Sequence, residues 1–317
     1  MKTIYLHHPI EAKTLKDRPT VMALGYFDGV HKGHQKVILT AKKIAEQLDT
    51  TASVMTFHPH PKEILRKPKQ EMKYLTPLPD KIKKIEKLGI NTLYIVQFST
   101  SFAALTPQQF VDDYLIGLNV IHVVAGFDFT YGSLGKGTME TLPFHARNRL
   151  DSTIVPKLEK NDEKVSSTKI RELLMQGNVE EVSNYLGDVY SVKGTVVDGE
   201  KRGRTIGFPT ANILPSDRYL IPKTGVYAVK MRIHNTLYQG VCNVGYKPTF
   251  HNNGELEPTI EVHLFSFDQT IYGEVVEVEW YRHLRDEQKF AGVEQLIEQI
   301  TADKQQAIDF FASEESQ

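Results

Sequence analysis

Between residues 20 and 158 the chain alternates short, almost continuously apolar runs with amphipathic stretches, and no other feature limits its fold as strongly. The runs Val21–Leu24, Ala52–Phe57, Thr92–Phe98, Val120–Ala125 and Thr153–Leu158 have the texture of strands, four of them apolar enough to be covered on both faces as parallel strands are. Val37, Ala41, Ile44 and Leu48 form one helical stripe between them, and Leu78, Ile82, Ile85 and Leu88 form another. A third helix is announced by its chemistry: Thr106-Pro-Gln-Gln109 combines an N-cap, a proline at the first helical position and a capping-box glutamine. The pattern predicts an α/β domain with a Rossmann-like, doubly wound parallel sheet, whose ligands sit beyond the carboxyl ends of the strands at a topological switch point.

The texture changes near residue 188. Alternating and β-branched runs follow at Ser191–Asp198, Gly225–Ile233, Tyr238–Val244, Thr259–Phe265 and Val275–Trp280, separated by Gly, Asn, Asp and Pro turns. Strands at this spacing predict an antiparallel barrel or sandwich. A terminal helix is expected over Asp286–Phe311, with Phe290, Val293, Leu296, Ile297 and Ile300 as its buried stripe. The domains are therefore 1–187 and 188–317, and 317 residues suffice for two cores at roughly 150 residues each.

Lys plus Arg number 38 against 39 Asp plus Glu, so no basic excess favours nucleic acid as a partner. The single cysteine, Cys242, excludes an internal disulfide and a thiolate metal cluster and fits a reducing compartment; its plain reading is a small buried residue. Met1–Lys13 lacks the apolar core of a signal peptide, and no run approaches the ~20 apolar residues of a membrane span. A cytoplasmic protein with no membrane partner is expected.

Gly25-Tyr-Phe-Asp-Gly-Val-His-Lys-Gly-His34 lies between the first strong strand and its helix. Backbone N–H groups and the positive end of a helix dipole converge at such a place, which suits an anion. Gly33 lets the backbone come close to a ligand, and the imidazoles of His31 and His34 offer N–H groups to the phosphates of a nucleotide. The same residues also fit an ordinary turn with two solvated histidines. His58-Pro-His-Pro61 and Gly126-Phe-Asp-Phe-Thr-Tyr-Gly132 fall at other strand ends and would rim one cleft, although each also reads as a stiff loop.

Two later stretches carry similar ambiguity. In Val165-Ser-Ser-Thr-Lys-Ile-Arg-Glu-Leu-Leu174 a serine or threonine caps a helix and leaves Arg171 near its start, where it suits an anionic ligand or a solvated surface. Gly199 to Asn212 is a basic, glycine-rich turn without Walker A order. Lys201, Arg202 and Arg204 could neutralise phosphates, and Thr210 and Asn212 offer oxygens to Mg²⁺; a plain basic hairpin turn would look the same.

Read in order, these pieces resemble the prokaryotic bifunctional riboflavin kinase/FAD synthetases over essentially the whole chain. Gly25-x-Phe-Asp-Gly-x-His-x-Gly-His34 is similar to that family's first adenylylation motif, Gly126-x-Asp-Phe129 to its second and Ser166-Ser-Thr-x-x-Arg171 to its third. Gly207-Phe-Pro-Thr-Ala-Asn212, Asn243-x-Gly-x-x-Pro-Thr249 and Glu261-Val-His-Leu264 are similar to the riboflavin-kinase signature. The resemblance implies an N-terminal nucleotidylyltransferase domain and a C-terminal kinase barrel, acting on riboflavin, FMN and FAD with ATP as co-substrate and Mg²⁺ as cofactor. It implies that Gly25, Phe27, Asp28, Gly33, Ser167, Thr168 and Arg171 bind ATP for adenylylation and that Asp128 and Phe129 bind its flavin. In the kinase it implies that Gly199, Lys201, Arg202, Gly203, Gly207, Pro209 and Asn212 bind substrates, that Thr210 and Asn212 hold the metal and that Glu261 is the base. Ser266, Lys247 and Lys169 depart from the residues most frequent in the family, without touching those given chemistry. Self-association is left open.

Overall fold

The computed structural model describes residues 1–10, 18–66, 71–160, 163–199, 202–248 and 256–315. Its contacts divide the chain into two compact units, Met1–Ser167 and Thr168–Gln317.

The first unit is built on β1 (Lys2–Leu6), β2 (Thr20–Leu24), β3 (Thr51–His58), β4 (Thr92–Gln97) and β5 (Val120–Gly126). A hairpin of β6 (Thr130–Tyr131) and β7 (Gly137–Thr138) follows, then β8 (Asp151–Val155) and a second hairpin of β9 (Glu159–Lys160) and β10 (Glu163–Lys164). Six strands pair in the order β1-β4-β3-β2-β5-β8, every pair parallel. Its helices are α1 (Lys32–Gln47), α2 (Pro61–Arg66), α3 (Leu78–Lys87), α4 (Thr100–Ala103), α5 (Pro107–Phe110) and α6 (Leu142–Ala146). The capping box on Thr106 and Gln109 is present, and α5 runs on into a π-helical turn, Val111–Ile116.

Two-residue periodicity divides the core. From β2, Met22 and Leu24 enter a cluster with Phe57, Phe102 and Tyr114, while Val21 and Ala23 pack on the other face with Ile38, Ala41 and Ile85. The chain moves from β2 outward through β3 and β4, then returns to β5 on the other side of β2. The switch point thus lies at the carboxyl ends of β2 and β5, where the Gly25 and Gly126 motifs begin.

Two edges differ from the sequence expectation. β1 was not foreseen because an edge strand, paired only with β4, needs no continuous apolar run; Lys2 is exposed and Leu6 buried. β8 starts two residues before the expected Thr153 and ends before Pro156, which has no N–H to give to a ladder.

The second unit opens with α7 (Ser167–Gln176) and α8 (Val179–Leu186), which the sequence partition counts with the first domain. Lys223 N–H bonds to the Leu174 carbonyl at 2.9 Å, and Arg282 pairs with Glu180 at 3.1 Å. A closed antiparallel barrel follows in the order β11-β12-β15-β14-β13-β16. Its strands are β11 (Ser191–Val197), β12 (Ala211–Pro215), β13 (Gly225–Ile233), β14 (Thr236–Pro248), β15 (Leu256–Leu264) and β16 (Val275–Arg285), with α9 (Arg202–Thr205) between the first two.

β12 was missed because only five residues of it pair beyond the glycine-rich turn. The terminal helix is α10 (Val293–Glu315), seven residues later than expected, since β16 continues to Arg285. Register shifts against β13 break its alternation, which hides the strand's second half from a period-two reading. The stripe also moves: Val293 is exposed, Leu296, Ile297 and Ile300 are half-buried, and Asp303, Ala307 and Phe311 are buried. Asp303 receives a bidentate pair from Arg285 at 2.9 and 2.8 Å, which compensates its burial.

Candidate functional site

The first site grows from the end of β2. Phe27, Gly29 and Val30 adopt positive φ of 55°, 88° and 47°, a conformation that costs a β-branched residue most. Side chains hold this turn by its carbonyls. Tyr26 O accepts from Thr56 Oγ1 at 2.8 Å and from Lys81 Nζ at 2.8 Å, Asp28 O from Ser167 Oγ at 2.8 Å, and Val30 O from Gln35 Nε2 at 2.8 Å. The Asp28 carboxylate is 3 % exposed and accepts from Leu75 N and Thr76 N, each at 3.1 Å. A Cβ at Gly25 would meet the Phe27 ring at 2.6 Å.

His31 is the N-cap of α1, and its Nδ1 accepts from His34 N at 3.2 Å. That bond places the neutral ring's proton on Nε2. The rings of His31 and His34 stack at 3.5 Å, with Phe27 edge-on to His34 at 5.3 Å. Burial lowers the His31 pKa to about 4, and burial followed by the nearby His31, Lys81 and Lys164 pushes His34 well below the ordinary histidine value. Both imidazoles are thus neutral near pH 7. They are N–H donors whose protonation a bound polyanion would favour.

Asp128 and Phe129 follow β5 across the switch point. Asp128 pairs with Lys164 of β10 at 2.6 Å, and the same ammonium lies 4.6 Å from the Phe127 ring. Lys164 and Lys81 are the cations that the sequence reading missed in this unit. Lys164 lay in what looked like a charged connector, and Lys81, although its spacing from Leu78, Ile85 and Leu88 sets it on the apolar face of α3, was passed over because it is charged. Thr168 and Arg171 lie on α7, in the second compact unit.

In that unit strand pairing sets Asn212 opposite Glu261, and Glu261 opposite Asn243, so three polar residues form one row across β12, β15 and β14. The turn before β12 is shaped around this row. A Cβ at Gly199 would lie 2.0 Å from Asn212 Nδ2, and one at Gly203 would lie 2.3 Å from Phe208 O and 3.6 Å from Thr210 Oγ1. His263 Nδ1–H donates to Pro209 O at 2.8 Å and fixes the residue before Thr210. Arg204, Thr210, Val262 and Leu264 line a cavity of about 320 Å³ together with Asp268 and Tyr272, within the size range of small-molecule sites. The Phe267–Tyr272 segment was not singled out from sequence because it has no glycine pattern or helix cap. Lys201 and Thr249 lie outside the described residues, and Arg202 begins α9.

Two separate polar sites thus lie on two different folds, a parallel sheet and a closed barrel. Comparison with known proteins makes the class specific. The FAD synthetase family model matches residues 13–169 and the riboflavin kinase family model matches residues 186–311. The chain is 53% identical over 313 residues to the bifunctional riboflavin kinase/FMN adenylyltransferase of Bacillus subtilis (strain 168), covering 99% of both chains. It is 51% identical to the protein of the same name from Listeria monocytogenes, covering 98% of this chain and 99% of that one. A solved structure described as a macrolide-efflux protein from Streptococcus pneumoniae superposes with a TM-score of 0.86 at 38% identity, over 96% of this chain and 97% of the other. No helix among the described residues is long and apolar enough to cross a membrane.

The chain belongs to the family of bifunctional riboflavin kinase/FMN adenylyltransferases. Its C-terminal domain phosphorylates riboflavin to FMN with ATP, and its N-terminal domain adenylylates FMN to FAD with release of pyrophosphate.

Proposed function

We propose that the two reactions use two residue sets with no shared member. In adenylylation an oxygen of the FMN phosphate attacks the α-phosphorus of ATP, and the bond from that phosphorus to the bridging oxygen breaks as pyrophosphate leaves. The FMN phosphate is already ionised at neutral pH, so the step asks for alignment and for donors to the departing charge, not for a base. His31 and His34 are those donors. The observation that carries this is the cap itself: with Nδ1 of His31 engaged by His34 N, the proton stays on Nε2. Gly25, Phe27 and Gly33 shape the ATP turn, and Asp28 serves by anchoring it to Leu75 and Thr76. Ser167, Thr168 and Arg171 complete the phosphate set on the strength of their order in the motif. Asp128 and Phe129 hold the flavin.

In the kinase the ribityl 5′-hydroxyl attacks the γ-phosphorus of ATP, its proton passes to the Glu261 carboxylate, and ADP leaves. Thr210 and Asn212 suit Mg²⁺: both offer neutral oxygens, and the missing Cβ atoms at Gly199 and Gly203 leave the turn room beside them. When bound there, the ion would neutralise charge on the ATP phosphates. Gly199, Lys201, Arg202, Gly203, Gly207 and Pro209 bind the ATP and flavin of the kinase. The functional division falls at 187/188, and the enzyme works in the cytoplasm, where Cys242 stays reduced.

Separable lesions test the assignment. His34→Ala abolishes FAD formation from FMN while riboflavin phosphorylation persists; Glu261→Gln does the reverse, with a loss of about 10² to 10⁴ in rate. A time course of FMN, FAD, ADP and pyrophosphate from each purified variant reads both activities. Loss of both by either change would mean a shared site.

A further inference from the structure

Lys81 is the most deeply buried cation among the described residues, at 1 % exposed, and the chemistry assigned above makes no use of it. It sits on α3 but reaches out of its own helix: Nζ donates to the carbonyl of Tyr26 at 2.8 Å and lies 4.2 Å from the centre of the Tyr26 ring. The return connection comes from Asp28, whose carboxylate accepts from Leu75 N and Thr76 N just before α3 begins. The two ties run in opposite directions between the same two segments. One anchors the turn to the approach of α3, and the other anchors α3 to the turn.

The strained part of the turn, Phe27 to Val30, begins directly after the Tyr26 carbonyl and contains Asp28, and directly after it comes the His31 cap. A backbone with three positive φ values keeps that shape only when its surroundings over-determine it. A buried ammonium is a costly way to hold a carbonyl, and burial lowers the Lys81 pKa to about 8 while Asp28 acts to raise it. Stability alone does not require the ammonium: the Tyr26 carbonyl also accepts from Thr56 Oγ1 at 2.8 Å, so a methionine of similar length would leave it bonded and remove the cost of burying a charge.

We propose that Lys81 is a positioning residue for adenylyl transfer: with Asp28 it locks the Tyr26–Val30 turn so that His31 and His34 meet the departing pyrophosphate in register. The proposal rests on the assignment of those two histidines to the adenylylation site. Lys81 touches no substrate, and its effect reaches the reaction through the Tyr26 carbonyl.

The test uses the full-length enzyme in three forms, Lys81→Met, Lys81→Arg and His34→Ala, with steady-state FAD formation from FMN, thermal unfolding and amide exchange at residues 26–31. Lys81→Met is expected to lower kcat for FAD formation at least about tenfold, with KM for ATP and FMN moving less than about threefold, as misplacement of reacting groups does. Its unfolding midpoint holds or rises, its turn amides exchange faster, and Lys81→Arg recovers part of kcat. A Lys81→Met enzyme within twofold of the parent in kcat overturns the proposal, and so does a loss of kcat matched by unfolding of both Lys81 variants. Should His34→Ala itself leave FAD formation intact, the histidine assignment fails first, and the lysine inference falls with it for a distinguishable reason.

Discussion

His31 is at once a helix cap and a candidate donor to phosphate; the cap needs the neutral ring, with Nδ1 free to accept, and leaves Nε2–H to donate. Its folded pKa of about 4 lies below the unfolded value, so between the two the unfolded chain binds the extra proton. The contribution is present in full above pH ~6.5 and is lost as pH falls toward 4, amounting to about 3 kcal/mol at the limit. His31→Asn keeps a cap acceptor without a titrating ring. Its unfolding midpoint should fall less steeply than that of the parent between pH 7 and 4.5 in calorimetry, and parallel slopes would count against the buried neutral imidazole. His263 does related work in the barrel. With Nδ1–H given to Pro209 O, its Nε2 has no hydrogen-bond partner among the described residues, and burial lowers its pKa. His263→Phe fills the space next to Phe208 and Phe265 but releases the Pro209 carbonyl. Riboflavin phosphorylation should fall about tenfold, in line with a buried acceptor left unpaired, while FAD formation from supplied FMN holds.

In the proposed kinase site, Gly199 and Gly207 flank the basic turn and are needed for different reasons. Gly199 has Asn212 where a Cβ would stand, whereas Gly207 has open space but a φ of 86°. Alanine at 199 should therefore displace the Asn212 amide and remove most FMN formation. At 207 it costs only the left-handed backbone, about 1 kcal/mol, and leaves most of the rate. Assays of both variants that gave equal losses would show that flexibility, not contact, is what the glycines supply. The same turn marks the limit of what the sequence discloses. Buried strands such as β2 and β3 declare themselves by continuous apolar runs, and α5 by its capping box, because those signals are local. β12 and the second half of β16 do not, since a short strand beside a glycine-rich turn and a strand broken by register shifts have no clean period. The site divides in the same way. His31, His34, Thr210 and Glu261 sit in compact motifs, but Lys81 and Lys164 reach the site only through tertiary folding, and the Asn212–Glu261–Asn243 row exists only once three strands have paired.

At the scale of the molecule, two compact units with separate hydrophobic clusters predict two unfolding events with separate chemical readouts. The single thiol makes the second of them observable. Cys242 is 0 % exposed on β14, and burial, followed by the charge of Glu261, raises its pKa well above the ordinary thiol value. Both effects protect it, because a thiol reagent needs access and needs the thiolate. In native buffer, labelling by an aromatic disulfide should therefore be slow and should leave riboflavin phosphorylation intact. In a urea series, labelling should accelerate at the concentration where FMN formation is lost, since both report opening of the same barrel. FAD formation from supplied FMN belongs to the other core and should follow its own midpoint, tracked by exchange of the β2 and β3 amides. Coincidence of all three midpoints would show that the two units unfold as one; rapid labelling in native buffer would show that the barrel opens around β14 without unfolding.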